Sequence, residues 1–172
     1  MDELLAPFHP QITHGPIVLI IVALGFELIG RALDREWWRK AAFAMLILGV
    51  IGAFLAVQSG EGASNVVEKQ GVPEHTVDAH GDLGKLTLWF GLGAVVARAG
   101  SSRAGAMRGA VSWLGLALHL VAAVTVGIAA HRGAQLSFQH GANVRLHGKL
   151  LELGPPGGGE HGDEHREAGG KR

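Results

Sequence analysis

The chain has 172 residues, 48% of them apolar and only 17% charged, which bounds it to about one domain and points that domain toward lipid. Fifteen Lys and Arg balance fifteen Asp and Glu, so there is no basic surplus for a nucleic acid and neither DNA nor RNA is expected as a partner. Cysteine is absent, which excludes disulfides, thiolate metal sites, iron–sulfur clusters, thiol nucleophiles and covalently attached c-type haem.

The opening Met1-Asp2-Glu3 meets no basic residue before Arg31 and does not read as a cleavable signal peptide. Four apolar runs follow, over residues 16–33, 41–57, 83–97 and 111–130. A helix rises about 1.5 Å per residue and a bilayer core of roughly 30 Å needs about 20 residues, so the first, second and fourth runs qualify as spans. The third is short but extends backward, because Pro73 suits a helix start and no further proline interrupts residues 74–97. A soluble bundle would alternate apolar and charged faces, whereas the second run holds no charge and the fourth none beyond His119. The expectation is therefore an all-α, up-and-down four-helix transmembrane bundle over residues 1–153, with spans near 16–33, 41–58, 80–98 and 111–131. The tail 154–172, rich in Gly and charge, lacks the apolar residues to order itself and is expected to be disordered.

Positive charge in short loops sets orientation. Arg31, Arg35, Arg39 and Lys40 follow the first run and Arg98, Arg103 and Arg108 follow the third, while the segment 59–82 carries Lys69 against five carboxylates. Both termini are thus expected on the non-cytoplasmic side, with Trp37, Trp38 and Trp113 as interfacial anchors of a multi-pass protein of the bacterial inner membrane.

Up-and-down topology gathers one set of helix ends on that outer side. His14 is expected in a turn before the first helix, Glu61 just after the second, His80 just before the third and His131 just after the fourth, with His9, His75, His140 and His147 on flanking segments. Imidazole suits zinc, copper, nickel and haem iron, and a carboxylate can complete or orient such a site. Two overlapping sets are therefore expected: His14, His80, His131 and His140 for a cofactor such as haem b, and His14, His80, His131 and Glu61 for a divalent transition metal. Below His80 the stripe Gly84, Thr87 and Gly91 leaves room for a macrocycle or, equally, for close helix packing. His119 and His131 stand about 18 Å and about 120° apart on an ideal helix and cannot share one haem.

Inside the spans, Glu27 and His119 lie about 9 Å and about 12 Å from the basic helix ends. An isolated charge at that depth is costly, so either the two meet as a hydrogen-bonded pair across the first and fourth helices, or each bonds a backbone carbonyl or hydroxyl separately.

The opening His9-Pro10-Gln11-Ile12-Thr13-His14-Gly15-Pro16-Ile17, running straight into an apolar helix, resembles the start of the bacterial membrane-protein family catalogued as domain of unknown function twenty-two thirty-one. Residues 133–144, GAQLSFQHGANV, are similar to its closing motif, and the stretch from Ser59-Gly60-Glu61 to His80 is similar to the middle of some members. Gly15 stands where the family has an aromatic residue and Asn143 where it usually has Gly. Over residues 9–144 the resemblance implies four membrane helices and an association with haem or redox chains.

Two functions follow. The first is a membrane redox protein whose outer histidines bind haem b or a divalent metal, with redox proteins as partners. The second is a structural or accessory subunit of a larger membrane complex, with no cofactor of its own. No G-x-S-x-G, H-E-x-x-H or P-loop is present, so an enzyme is the lesser expectation, and the lipid bilayer is the partner common to both readings.

Overall fold

The computed structural model describes residues 6–142, 145–146 and 149–150. Four long helices make up nearly all of it: α1 (His9–Ala32), α2 (Glu36–Lys69), α3 (Glu74–Ser101) and α4 (Arg108–His140). Short 3-10 turns precede α1 at Ala6–Phe8 and α4 at Gly105–Met107. After α4, Gly141 adopts the left-handed φ of 60° that ends a helix without a Cβ penalty. A two-stranded antiparallel hairpin follows, β1 (Arg145–Leu146) with β2 (Lys149–Leu150), in the register Arg145 to Leu150 and Leu146 to Lys149. The tail 154–172 lies outside the described residues.

The bundle is all-α apart from that hairpin, and α1 packs chiefly on α2 as α3 does on α4. Three segments are long and apolar enough to cross a membrane: Ala6–Ala32, Glu36–Lys69 and Gly105–Gln139. α3 carries Asp82, Lys85 and Arg98, which lower its apolar level, so of the four expected spans it is the one whose composition falls short, although its 28 residues are long enough and pack on α4.

Burial runs opposite to that of a water-soluble core. The positions packed between helices are small, among them Ala23, Ala42, Ala53, Ala94 and Ala122, while Val18, Ile21, Leu48, Phe54, Leu86 and Val124 face outward. Between membrane helices there is little hydrophobic drive, so close backbone approach through small residues supplies the contact. A Cβ on Gly49 would come within 2.8 Å of Ile20 Cγ1, and one on Gly91 within 2.8 Å of Val50 Cγ2, so at both points the missing side chain sets the helix separation.

The helices run further than the apolar runs at the end away from the arginines. α1 begins at His9 and carries Pro16 in its interior rather than at its first turn, so His14 is helical and not in a turn. Gly52 makes this possible, since a Cβ there would meet Pro16 Cδ at 3.1 Å. α2 continues past Glu61 to Lys69 and α4 past His131 to His140, which places both residues within helices instead of just after them. α3 begins at Glu74 with Pro73 as its N-cap, as its sequence indicates. Beyond the spans, Val67, Val72, Val77, Leu136 and Ala142 form a small cluster that closes the histidine end.

Candidate functional site

Two polar groups stand out in this apolar frame, one at each end. At the histidine end His9 of α1 and His80 of α3 come together, with ring centres 6.2 Å apart and ring planes at 86°. His80 Nδ1 lies 3.0 Å from the Ala129 carbonyl oxygen on α4. A carbonyl only accepts, so Nδ1 carries the proton and Nε2 the lone pair. His9 Nδ1 lies 2.9 Å from Ser59 Oγ on α2, and that hydroxyl donates its own proton to the Ala56 carbonyl at 3.0 Å. The Ser59 oxygen is therefore the acceptor, and His9 takes the same tautomer as His80. Neither Nε2 is hydrogen-bonded to any described residue.

Each ring rests against a glycine of the neighbouring helix. A Cβ on Gly60 would stand 3.1 Å from His9 Cε1, and one on Gly133 would stand 2.9 Å from His80 Cε1. The two halves of the site thus share one plan: a histidine on the first helix of a hairpin, and an oxygen acceptor and a glycine on the second.

The remaining histidine-end candidates stand apart from this pair. His14 is exposed on α1, and its Nδ1 donates to the Pro10 carbonyl at 2.5 Å. His131 is exposed on α4, with Nε2 3.2 Å from Gln135 Nε2. Glu61 is exposed, and the side chain of His140 lies outside the described residues. Of the sets expected from sequence, only His80 belongs to the pair. Among the described residues no group of three or more His, Cys, Asp or Glu side chains could hold a metal ion.

At the basic end Glu27 is 2% exposed and faces two guanidiniums. Arg31, one turn on, donates Nε to Glu27 Oε1 at 2.7 Å, and Arg98 from α3 forms a close ion pair with Oε2. Arg31 Nη2 also donates to the Ser112 carbonyl at 3.0 Å and to Ser112 Oγ at 2.9 Å, and its guanidinium lies 5.0 Å from the Trp113 ring centre. Arg98 reaches the Arg39 carbonyl on α2 and lies 5.3 Å over Phe43. One carboxylate and two arginines thus connect all four helices.

Glu27 and His119 do not form the hydrogen-bonded pair considered from sequence. Both line a cavity of about 10 Å³ with Arg31, Arg98 and Ser112, but both Glu27 oxygens are held by arginines, and His119 Nε2 donates to the Ile20 carbonyl at 3.0 Å. The arginines win because they carry full charge and reach the carboxylate from two directions. His119 takes the other course, a bond to backbone.

From sequence, His9 stands only on a flanking segment, Arg31 and Arg98 only as orienting charges and Ser59 only in the family-like stretch, and none is expected in a site. A signal was present: Glu27 is eighteen residues after His9, and Arg98 is eighteen residues after His80. Equal spacing from a terminal histidine to an inner charge places the two charges at one depth.

This architecture is that of a small helical membrane protein with a paired-histidine end and an ion-paired end. The profile of the family described as predicted membrane protein (DUF2231) matches residues 5–146, and the chain belongs to that family. No curated protein and no solved structure shows a significant match.

Proposed function

We propose that the chain is a membrane redox protein in which His9 and His80 offer Nε2 to one transition-metal centre, either the iron of haem b or a bare divalent ion. The observation that carries this reading is the shared tautomer. Metal-binding histidines characteristically donate their other ring N–H to a carbonyl or other oxygen, which fixes ring orientation and raises the basicity of the ligating nitrogen. With metal–nitrogen bonds of about 2 Å, ring centres 6.2 Å apart are within the span of two imidazoles on one centre. Small residues flank the pair, Gly60 and Gly133 against the rings and Gly84 one turn below His80 with no side chain of its own. Such a centre supplies one-electron chemistry when bound; the protein supplies two fixed ligands at the end of the bundle and an apolar frame that tethers them to the bilayer.

The test is an absorption spectrum, reduced minus oxidised, together with elemental analysis of the detergent-purified full chain. A b-type haem spectrum, or about one equivalent of a transition metal, that disappears in His9→Ala and in His80→Ala is the expected result. Protein that takes up neither haem nor metal after reconstitution overturns the reading.

One observation favours the second function, an accessory subunit without cofactor. Each Nδ1–H joins two helices of one hairpin, so the same bonds also serve as clamps. In that case His80→Asn, which keeps a donor, restores stability while no variant changes any spectrum.

A further inference from the structure

Away from both polar groups, the lipid-facing seam between α3 and α4 holds an open groove of about 470 Å³. Its walls are apolar: Trp89, Gly93 and Val96 on α3, and Val111, Leu114 and Leu118 on α4. Trp89 is 68% exposed and stands at the inner limit of the groove, which runs toward the basic end from Trp89 to Ala97 on α3 and from Leu118 to Val111 on α4, about 10–12 Å of rise. Gly93 keeps it open, since a Cβ there would already lie 3.3 Å from Leu118 Cδ1 and any longer side chain would project into the space.

The mouth of the groove is cationic. Arg108 lies one turn beyond Val111 on the same stripe of α4, and its Nη2 donates across to the Ser102 carbonyl just past the end of α3, at 3.3 Å. The bond ties this exposed guanidinium to the end of α3. Arg103 follows Ser102 and is exposed, and no acidic residue occurs between Arg98 and Val111. Arg98 is committed to Glu27, which leaves Arg103 and Arg108 as the cations of the connection between α3 and α4 at this end of the groove.

We propose that this groove binds one anionic phospholipid, its acyl chain along Gly93 and Leu114 and its phosphate on Arg108 and Arg103. The occupant follows from two complementarities that meet at one point. A slot with purely apolar walls, open to the hydrocarbon, takes a chain and not a polar ring. A fork of guanidinium N–H donors at the headgroup level takes a phosphate, and a net negative headgroup most favourably where no carboxylate competes. The site is independent of the histidine pair and of its cofactor.

The full chain in neutral detergent is titrated with phosphatidylglycerol and with phosphatidylcholine of identical chains, and bound lipid is counted by native mass spectrometry. Phosphatidylglycerol is expected to bind about tenfold more tightly or better, a preference that two arginines at the interface can supply. Arg103→Gln with Arg108→Gln abolishes the preference, and Gly93→Leu removes one bound lipid of either kind while leaving helix content by circular dichroism unchanged. Leu114→Trp fills the groove from the opposite wall and gives the same loss if the glycine variant fails to fold. Equal binding of the two lipids, a preference that survives the arginine changes, or occupancy untouched by both filling variants overturns the proposal. So does retention of an isoprenoid quinone that is lost on filling but indifferent to the arginines. Inorganic phosphate at equal concentration is expected not to compete, since it lacks the chain.

Discussion

At the basic end Glu27 is gripped by two guanidiniums that in turn bond Ser112 and the Arg39 carbonyl, so the ionised groups are tied to another helix on every side. At the histidine end two imidazoles are each held through Nδ1 only, and both Nε2 atoms are left uncommitted. The first arrangement suits a structural clasp: charges buried in or near hydrocarbon are tolerable when each has a partner of opposite sign and further hydrogen bonds. The second suits a receptor, since ligand atoms are oriented in advance and keep their binding lone pair. The difference is that one end completes its valences internally and the other does not.

The comparison is tested most severely by removing the carboxylate. In Glu27→Gln two half-buried guanidiniums lose their counter-charge, and a loss of about 2–3 kcal/mol, below that for a fully buried pair, is expected from unfolding titrations in mixed micelles. Uptake of the proposed cofactor per folded molecule should stay at the wild-type level, because no described residue of the histidine pair touches the network. A wild-type unfolding midpoint would show that the ion pairs do not hold the helices together.

Ser59→Ala reverses the emphasis. It removes the acceptor of His9 Nδ1–H while the buried backbone site accommodates a methyl group, so stability should fall by only about 1 kcal/mol. Affinity for the proposed metal or haem should fall about 10–100-fold, the usual effect of losing a partner of a ligating histidine. A change in stability with affinity intact would place Ser59 among the clamps.

Between the two ends, Thr87 on α3 donates to Thr125 on α4 at 2.9 Å, while Thr125 lies within 3.0 Å of its own Val121 carbonyl. Hydrogen bonds between membrane helices average about 0.6 kcal/mol, so Thr87→Val should cost about that much and leave both ends intact. The measurement is the same unfolding titration, and a loss several times larger would mean that the middle of the bundle acts as a third clasp.

How far the sequence leads can be read from these same residues. The four helices were legible because uncharged runs such as 41–57 cannot be solvated, and the family followed from His9-Pro10 through His14 and from the 133–144 stretch. The start of α1 was not, because Pro16 favours a first turn on local grounds and only the packing of Gly52 against it permits an interior place. That shift matters for the site: it makes His14 helical and exposed and leaves His9, two turns from Pro16, as the residue that reaches His80. The Glu27 partners were hidden for a different reason. Arg31 and Arg98 read as loop charges that set orientation, and only the bundle brings them back over the carboxylate.

The smallest expected effect concerns Glu27 and His119, which line one cavity of about 10 Å³, room for about one water molecule. Proximity alone would suggest coupling, since neighbours that share a cavity often depart from additivity by 0.5–3 kcal/mol, on the order of a full hydrogen bond. Their partners argue otherwise. Both carboxylate oxygens are held by arginines, and the His119 proton goes to the Ile20 carbonyl, so neither group supplies a donor or acceptor that the other needs. A cycle of Glu27→Gln, His119→Gln and the double variant, followed by thermal unfolding in detergent, should therefore close to within about 0.5 kcal/mol. A larger coupling would mean that a water in the cavity links His119 Nδ1 to the network, and the clasp at the basic end would then extend one group deeper into the membrane than its direct contacts reach.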